Sequence, residues 1–513
     1  MGVLAFITNH GYLDNPTFRG MRQQLMKAFS EIFIVNLHGN YIKGNVTPEG
    51  NVDENVFDIR AGVAVALFIK KANSVDDAAT VKYFDIWGKR GDKYLDLDSS
   101  SLRNISWNEL AVSSPHYLFV PTSLDSYPEY ESFASVKDAF PANSLGIATA
   151  RDSLTIHYTA ESTWNTISDF ASLDTDEARD VYSLGKDARD WKVGLAQADI
   201  LASGPQKKHI AQILYRPFDR RFTYYTGKTR GFMCMPRREI MRHLLGSDNL
   251  ALLTLRRPRT DLVGNFWVTN NIAEKSAITS KDNANVFPLY LYPTKQKELT
   301  DPSELPLSEN GRRPNLSKSF VSEMEAKLDL PFQTEGSAFA NGDSPDWFGP
   351  EDVFYYAYAV FHSPTYRERY AEFLKIDFPR LPLTSDVDLF AALVKLGAEL
   401  VSLHLMKSLT LSKFITTFDT EGDNEVARGY PKYNEVKRSV AINKTQYFGG
   451  VSPDVWDFHI GGYRVADKWL KDRRGRVLSD DDLEHYQKII VALTETMRIM
   501  SEIDDAIPGF PIG

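Results

Sequence analysis

The sequence predicts a multidomain protein of the α/β and α+β classes: half of a doubly wound sheet, then a mixed strand-and-helix region, then a largely helical C-terminal unit. Three observations predict it. Within the first 70 residues, a short apolar run is followed by a helical pattern and two further apolar runs. Strand-like alternation broken by Pro and Gly marks residues 144–300, and helical periodicity takes over near residue 347. At 513 residues and 43% hydrophobic content the chain can bury several cores.

Gly2–Asn9 is apolar, has no preceding cap or turn, and reads as a buried strand. Asn15-Pro16-Thr17 marks a turn and helix start, and Phe18–Phe29 places Met21, Leu25 and Met26 on one helical face. Glu31–Leu37 is a second strand, and after the polar stretch 39–58, read as a long hairpin, a third follows at Gly62–Ile69. A parallel sheet of this kind needs more strands and cover on both faces. With three strands alone, the first carries an unpaired hydrophobic edge. The expectation is that the first strands of the sheet are missing, through a truncated reading frame or because a second polypeptide supplies them; the alternative is a small, complete three-stranded domain.

From Ala72 to Pro141 the patterning weakens, and Tyr94–Leu97, Leu118–Val120 and the spaced aromatics Tyr127, Tyr130 and Phe133 read as a connector. Ser144–Asp152 opens a strand-rich unit, with helices expected at Asp174–Tyr182 and Asp187–Ala202. Phe222–Tyr225, bracketed by Pro217 and Gly227, alternates like a strand and implies a hairpin. Pro236–Leu245 reads as a helix with Pro in its first turn and Gly246 closing it. Leu250–Leu255 is an apolar strand that delivers Arg256, Arg257 and Arg259 to its end.

Leu299–Asp346, rich in Pro, Ser, Asn and Gly, reads as a long loop with a short helix at Ser317–Ala326. Glu351–Phe361, Pro364–Leu374 and Asp388–Met406 read as helices, with Tyr355, Tyr358 and Ala359 lining a core. Val440–Tyr447 and Val455–Ile460 alternate like strands. Ser479 is the expected cap of a last helix. Asp480–Asp482 fill its first turn, and an apolar stripe runs through Leu483, Tyr486, Ile489, Ile490, Leu493, Met497 and Met500.

Charge gives the functional signal. The formal net charge is -9, yet Lys207–Arg259 holds 13 Lys/Arg against three acids, interleaved with aromatics. A local field opposite in sign to the global one suits a phosphate-bearing partner, and nucleic acid is the expected one. The candidate contacts are Arg216, Arg220, Arg221, Tyr224, Lys228, Arg230, Arg237, Arg238, Arg256, Arg257, Arg259 and the nearby Lys275. Arg216, Arg220 and Arg221 flank a Pro-Phe-Asp turn, so one of them has an alternative use, pairing with Asp219 or capping a carbonyl. Phosphate contacts position a duplex, whereas contacts to base edges specify sequence. Asn265, Asn270 and Asn271 beside Trp267 are weaker base-reading candidates, and a turn at Asn270-Asn271 is preferred. A second basic patch, Lys471–Arg476, reads as a solvated loop, with phosphate contact as the alternative.

Other chemistries are excluded. The single cysteine, Cys234, allows no internal disulfide, and Cys/His spacing of the zinc-finger kind is absent. No long apolar run or signal-peptide pattern occurs, so a cytoplasmic protein with no membrane partner is expected. Gly227-Lys228-Thr229 imitates the end of a P-loop, but Phe222 stands where the motif's first glycine belongs.

The opening strands resemble the second half of the catalytic domain of amino-group DNA methyltransferases. The downstream blocks Tyr215–Arg221, Phe287–Tyr292, Tyr355–Tyr370, Phe373–Pro382, Gly461–Arg464 and Trp469–Arg473 resemble the C-terminal part of type ISP restriction-modification enzymes. The resemblance implies an incomplete, Rossmann-like methyltransferase half at residues 1–110 and a connector at 111–143. It further implies a basic target-recognition domain at 144–300, a linker at 301–346 and a specificity unit at 347–513. It also implies that the intact enzyme methylates adenine in duplex DNA with S-adenosylmethionine. The family's glycine motif for that cofactor and its Asn-Pro-Pro-Tyr loop are absent here, so no catalytic or cofactor-binding residue is assigned and the chain alone is expected to be inactive. Two other readings remain open: a stand-alone DNA-binding subunit that completes a split methyltransferase, and a protein-interaction module descended from one.

Overall fold

The structure, a computed structural model, describes residues 2–41, 46–71, 79–114, 116–121, 126–259, 263–294, 304–340 and 345–512. Parts of the expected connector and linker, at residues 72–78, 122–125, 295–303 and 341–344, lie outside them. The chain forms two compact units, 1–128 with 259–261, and 129–258 with 262–513.

The first unit is built on a five-stranded sheet. Its strands are β1 (Gly2–Asn9), β2 (Glu31–His38), β3 (Val63–Lys70), β4 (Thr80–Asp85) and β5 (Asn108–Leu110), in the order β1-β3-β2-β4-β5. The three apolar runs are strands, as expected, and helix α1 (Arg19–Ala28) joins the first two. The direction of the third departs from the parallel arrangement. β3 runs antiparallel to both β1 and β2, with Val3 opposite Ile69 and Ile32 opposite Phe68. No helix is described between β2 and β3, and without a crossover a strand returns antiparallel. β2 and β4 are the parallel pair, with Glu31 opposite Thr80. Ile32, Ile34, Ala66, Phe68 and Val81 form the core.

The outer edge of this sheet is β1. Val3, Leu4 and Ile7 on it are 56%, 47% and 46% exposed. Tyr94–Leu97, read as connector, lies within helix α2 (Arg90–Ser99). That helix is anchored by a lysine: Lys93 is fully buried, 2.6 Å from Asp53, and donates to the carbonyls of Leu37 and Glu54 at 2.7 and 2.6 Å.

The second unit holds several small sheets and a helical layer. One antiparallel sheet orders Phe266–Thr269, Ala251–Thr254, Asn285–Pro288 and Ser144–Leu145. In another, the hairpin Ile210–Arg216 and Asp219–Tyr224 is extended by Ile272–Ala273, which pairs in parallel. Asn270-Asn271 makes the turn between Phe266–Thr269 and Ile272–Ala273. The helices Pro350–His362, Val387–His404 and Asp480–Ala506 pack together. Ser479 caps the last of these through the Asp482 amide, and Tyr486, Ile489, Ile490 and Leu493 are buried, as the stripe predicts. Lys318–Leu328 is a helix capped by Ser317.

Several expected elements differ. The helix expected at Asp187–Ala202 begins only at Val193, and Val440–Tyr447 is divided by a turn between the strands Ser439–Ala441 and Tyr447–Gly449. Pro236–Leu245 holds an α-helix only at Arg238–Met241, because Arg237 takes a left-handed φ of 53° that a helix starting at Pro236 would not permit. Val455–Ile460 is not one strand. Ser452 caps a helix at Pro453–Asp457, with Pro favouring its first turn, and His459–Ile460 forms a two-residue strand after it.

Candidate nucleic-acid interface

The basic segment of the sequence splits in the structure into buried and exposed sets. On the strand Asp219–Tyr224, side chains alternate between the two faces. Asp219 and Arg221 share one face: Arg221 donates to Asp219 Oδ2 through Nε and Nη2 at 3.0 and 2.7 Å. Arg473 donates to the other oxygen, Oδ1, at 3.0 Å. Arg221 also lies over the Tyr158 and Tyr215 rings, 4.3 and 4.1 Å from their centroids. Burial pushes the Asp219 carboxyl up, but the charges of Arg473 and Arg221, with their hydrogen bonds, outweigh burial and hold it at about 2. Arg216 pairs with Glu274 at 2.8 Å and lies over the Tyr215 ring.

Arg216, Arg221 and Tyr224 are 9%, 7% and 0% exposed, so they present no surface to a duplex in this structure. The alternative pairing with Asp219 belongs to Arg221. Arg220 faces the other way and donates to the Leu405 carbonyl at 2.7 Å, the carbonyl-capping use. In the second basic patch, Arg473 is buried, whereas Lys471 and Arg474 are exposed.

A different group of cations reaches the surface. Lys228, Arg230 and Arg238 are exposed, and Arg237 and Lys275 are half-buried. Arg230, Arg237 and Lys275 all act electrostatically on Cys234, which places them around one thiol; burial, then Asp190, push that thiol up. The Arg237 Nε is buried without a hydrogen-bond partner among the described residues. The loop carrying Lys228 and Arg230 is held from below. Asp199 Oδ2 accepts the Thr226 hydroxyl and the Phe232 amide, each at 2.8 Å, and a Cβ at Gly231 would stand 2.1 Å from that oxygen. Only glycine fits at this approach. Arg238 packs across Gly227, beside Lys228.

Arg256 pairs with Asp377 at 2.8 Å at the end of its strand. Arg257 is half-buried and Arg259 exposed, and Arg259 belongs to the first unit. The structure therefore brings together Lys228, Arg230, Arg237, Arg238 and Lys275.

It also adds residues the sequence reading passed over. Arg189 and Arg230 flank Asp190, at 2.6 and 3.1 Å, and the Arg189 side chain is 88% exposed. Lys186 and Lys192 are exposed on the same loop. Arg151 donates to the carbonyls of Leu184 and Lys186, each at 3.0 Å, and so fixes that loop. These cations escaped a charge count because Asp187 and Asp190 cancel them locally. Among the described residues, no group of three or more His, Cys, Asp or Glu is placed to hold a metal ion, and no helix is long and apolar enough to cross a membrane.

Residues 138–502 match the type ISP C-terminal specificity domain. The chain belongs to that family. Its fold is similar to three solved structures. The ATP-dependent type ISP restriction-modification enzyme LlaBIII bound to DNA matches at 18% identity and a TM-score of 0.68, over 100% of this chain and 34% of that one. The DrdV–DNA complex matches at 20% identity and 0.67, over 98% of this chain and 50% of that one. A nuclease-deletion mutant of the type ISP enzyme LlaGI, in complex with a DNA substrate mimic, matches at 19% and 0.67, over 100% and 47%. This chain thus spans half or less of the length of each. No curated protein matches the chain.

Proposed function

We propose that this chain grips and identifies duplex DNA as the specificity part of a type ISP restriction-modification enzyme. Membership of the specificity-domain family carries the reading, and the cations around Cys234, with Arg230 exposed and Arg237 and Lys275 half-buried, give it a surface. Lys228, Arg230, Arg237, Arg238 and Lys275, with Arg189, Lys186 and Lys192 beside them, hold phosphates. Arg256 and Arg257, at the end of the strand Ala251–Thr254, are a secondary set. Arg216, Arg221 and Tyr224 build the platform underneath.

In the intact enzyme, on this reading, adenine in duplex DNA receives a methyl group from S-adenosylmethionine, and the first unit completes the catalytic domain. The open, apolar edge of β1 supports that role, because such an edge takes a further strand, in cis or from a separate polypeptide. The cofactor's glycine motif is absent from the sequence, and the strand-to-helix connections 10–18 and 86–89 hold one glycine each. No step of methyl transfer is assigned to these residues.

The test is binding of the purified chain to random duplex DNA over a salt series, beside a variant with Lys228, Arg230, Arg237 and Arg238 changed to Ala. Steeply salt-dependent binding that the variant loses supports the reading. Equal affinity of a folded variant removes the interface from this surface.

A further inference from the structure

Beneath the hairpin turn at Pro217-Phe218 lies a cavity of about 170 Å³, whose walls include Leu214, Phe218, Trp267, His404, Met406 and His485. Its charge is unusual. Arg220 lines it, half-buried, and its one described side-chain hydrogen bond goes to a neutral carbonyl, that of Leu405. None of the lining residues is acidic, and no carboxylate pairs with Arg220 among the described residues.

The two histidines do not add charge. The Thr496 hydroxyl gives its proton to the Ala492 carbonyl at 2.7 Å, so it accepts from His404 Nε2 at 2.9 Å. His404 Nδ1 then accepts from the Tyr358 hydroxyl at 2.6 Å, which describes a neutral ring. Burial favours the same state, holding His404 at about 3. His485 Nε2 donates to the Phe218 carbonyl at 2.8 Å, and burial pushes this ring down as well. The cavity therefore has apolar and aromatic walls and one fixed cation whose guanidinium keeps donors to spare.

Backbone strain marks the same place. Phe218 and Met406, on opposite elements of the wall, both have a φ of 58°, a left-handed conformation that bulky side chains rarely adopt. Such strain persists where the surroundings over-determine it, and it gathers at ligand sites.

We infer that this cavity binds a small aromatic anion, with one ring against Phe218, Trp267 and Met406 and a carboxylate or phosphate monoester on the Arg220 guanidinium. Apolar cavities of about 150 Å³ take a benzene-sized ring, and the guanidinium fork matches either anionic group. None of the cations around Cys234 lines this site, and it gives Arg220 a role other than contact with DNA.

The probes are benzoate and phenyl phosphate, titrated calorimetrically into the full chain, with acetate and inorganic phosphate as anions lacking a ring. At least one aromatic anion binds more tightly than its ringless counterpart, and Arg220→Gln weakens it roughly ten- to hundredfold, while Lys228→Gln leaves it unchanged. If Arg220→Gln does not fold, the ε-methyl resonance of Met406, assigned with Met406→Leu, decides on the wild-type chain: it shifts on titration if the cavity fills. No binding by the folded wild-type chain overturns the proposal, as does binding that moves neither the Met406 signal nor the affinity of Arg220→Gln. DNA affinity is measured on the same variants. Loss of DNA binding by Arg220→Gln with aromatic-anion binding intact overturns the inference and returns Arg220 to the DNA-facing set; loss in the Lys228 variant concerns the DNA interface alone.

Discussion

Arg473 Nη2 sits 3.0 Å from Asp219 Oδ1, joining residues 254 apart in the chain. With Arg221 on the other oxygen, Asp219 becomes an anion shared by two guanidiniums and buried to 1% exposure. Removing Asp219 leaves the two buried guanidiniums only the longer contacts of Arg221 to Asp472 and of Arg473 to Asp482, at 3.8 and 3.7 Å. Asp219→Ala is expected to lower stability by about 3–5 kcal/mol, measured by urea unfolding.

The same carboxylate sets an acid limit. Its folded value of about 2 lies below the ordinary value of about 3.9, so its contribution to stability is present above that ordinary value. The contribution is lost as pH falls toward about 2. Urea midpoints of wild type and Asp219→Asn measured from neutral pH downward should converge across that window. A constant difference throughout would show that the Asp219 charge does not set the limit.

On the surface, the expected signature is in the salt dependence. Each phosphate contact removed should lower the slope of log affinity against log salt by about one. Lys228→Ala and Arg230→Ala are each expected to do so with urea stability unchanged. Arg221→Ala should instead lower stability first, since its charge is used within the fold.

The loop between Thr226 and Phe232 gives a subtler case. Gly231→Ala would set a methyl group against Asp199 Oδ2 and break the two hydrogen bonds that oxygen accepts. Weaker DNA binding is expected with every cation still in place. Faster amide exchange at Phe232 and its neighbours would locate the cause.

In the first unit, Lys93→Met leaves Asp53 buried without its cation. A loss of about 3–5 kcal/mol is expected, followed through Trp87 and Trp107 fluorescence on urea unfolding. DNA affinity measured below the unfolding transition should stay at the wild-type level if the cations around Cys234 make the contact.

How far the sequence carried these features depended on whether the causes were local. Gly2–Asn9, Glu31–His38 and Val63–Lys70 were legible because short apolar runs are bounded by polar turns. The last helix was legible because Ser479 and the residues that follow carry both cap and stripe. Strand direction was half legible: a long hairpin over 39–58 returns the third strand antiparallel, against the parallel sheet that the strand–helix–strand opening implies. Lys93 was missed because nothing near it in sequence announces Asp53. The buried arginines were half legible: the i, i+2 spacing of Asp219 and Arg221 on one strand face already suggests a pair. Arg473 and Tyr158, which complete the surroundings, come from distant segments.

Arg220 and Arg221 are adjacent in sequence, yet one reaches the Leu405 carbonyl and the other Asp219. What separates their roles is the register of one hairpin, set by the turn at Pro217-Phe218. A single residue inserted there would exchange the two faces of the strand, turning Arg220 toward the ionic cluster and Arg221 toward the aromatic cavity. The length of this turn is therefore under stricter constraint than the identity of most residues around it, and natural variation should substitute within it far more readily than it inserts or deletes.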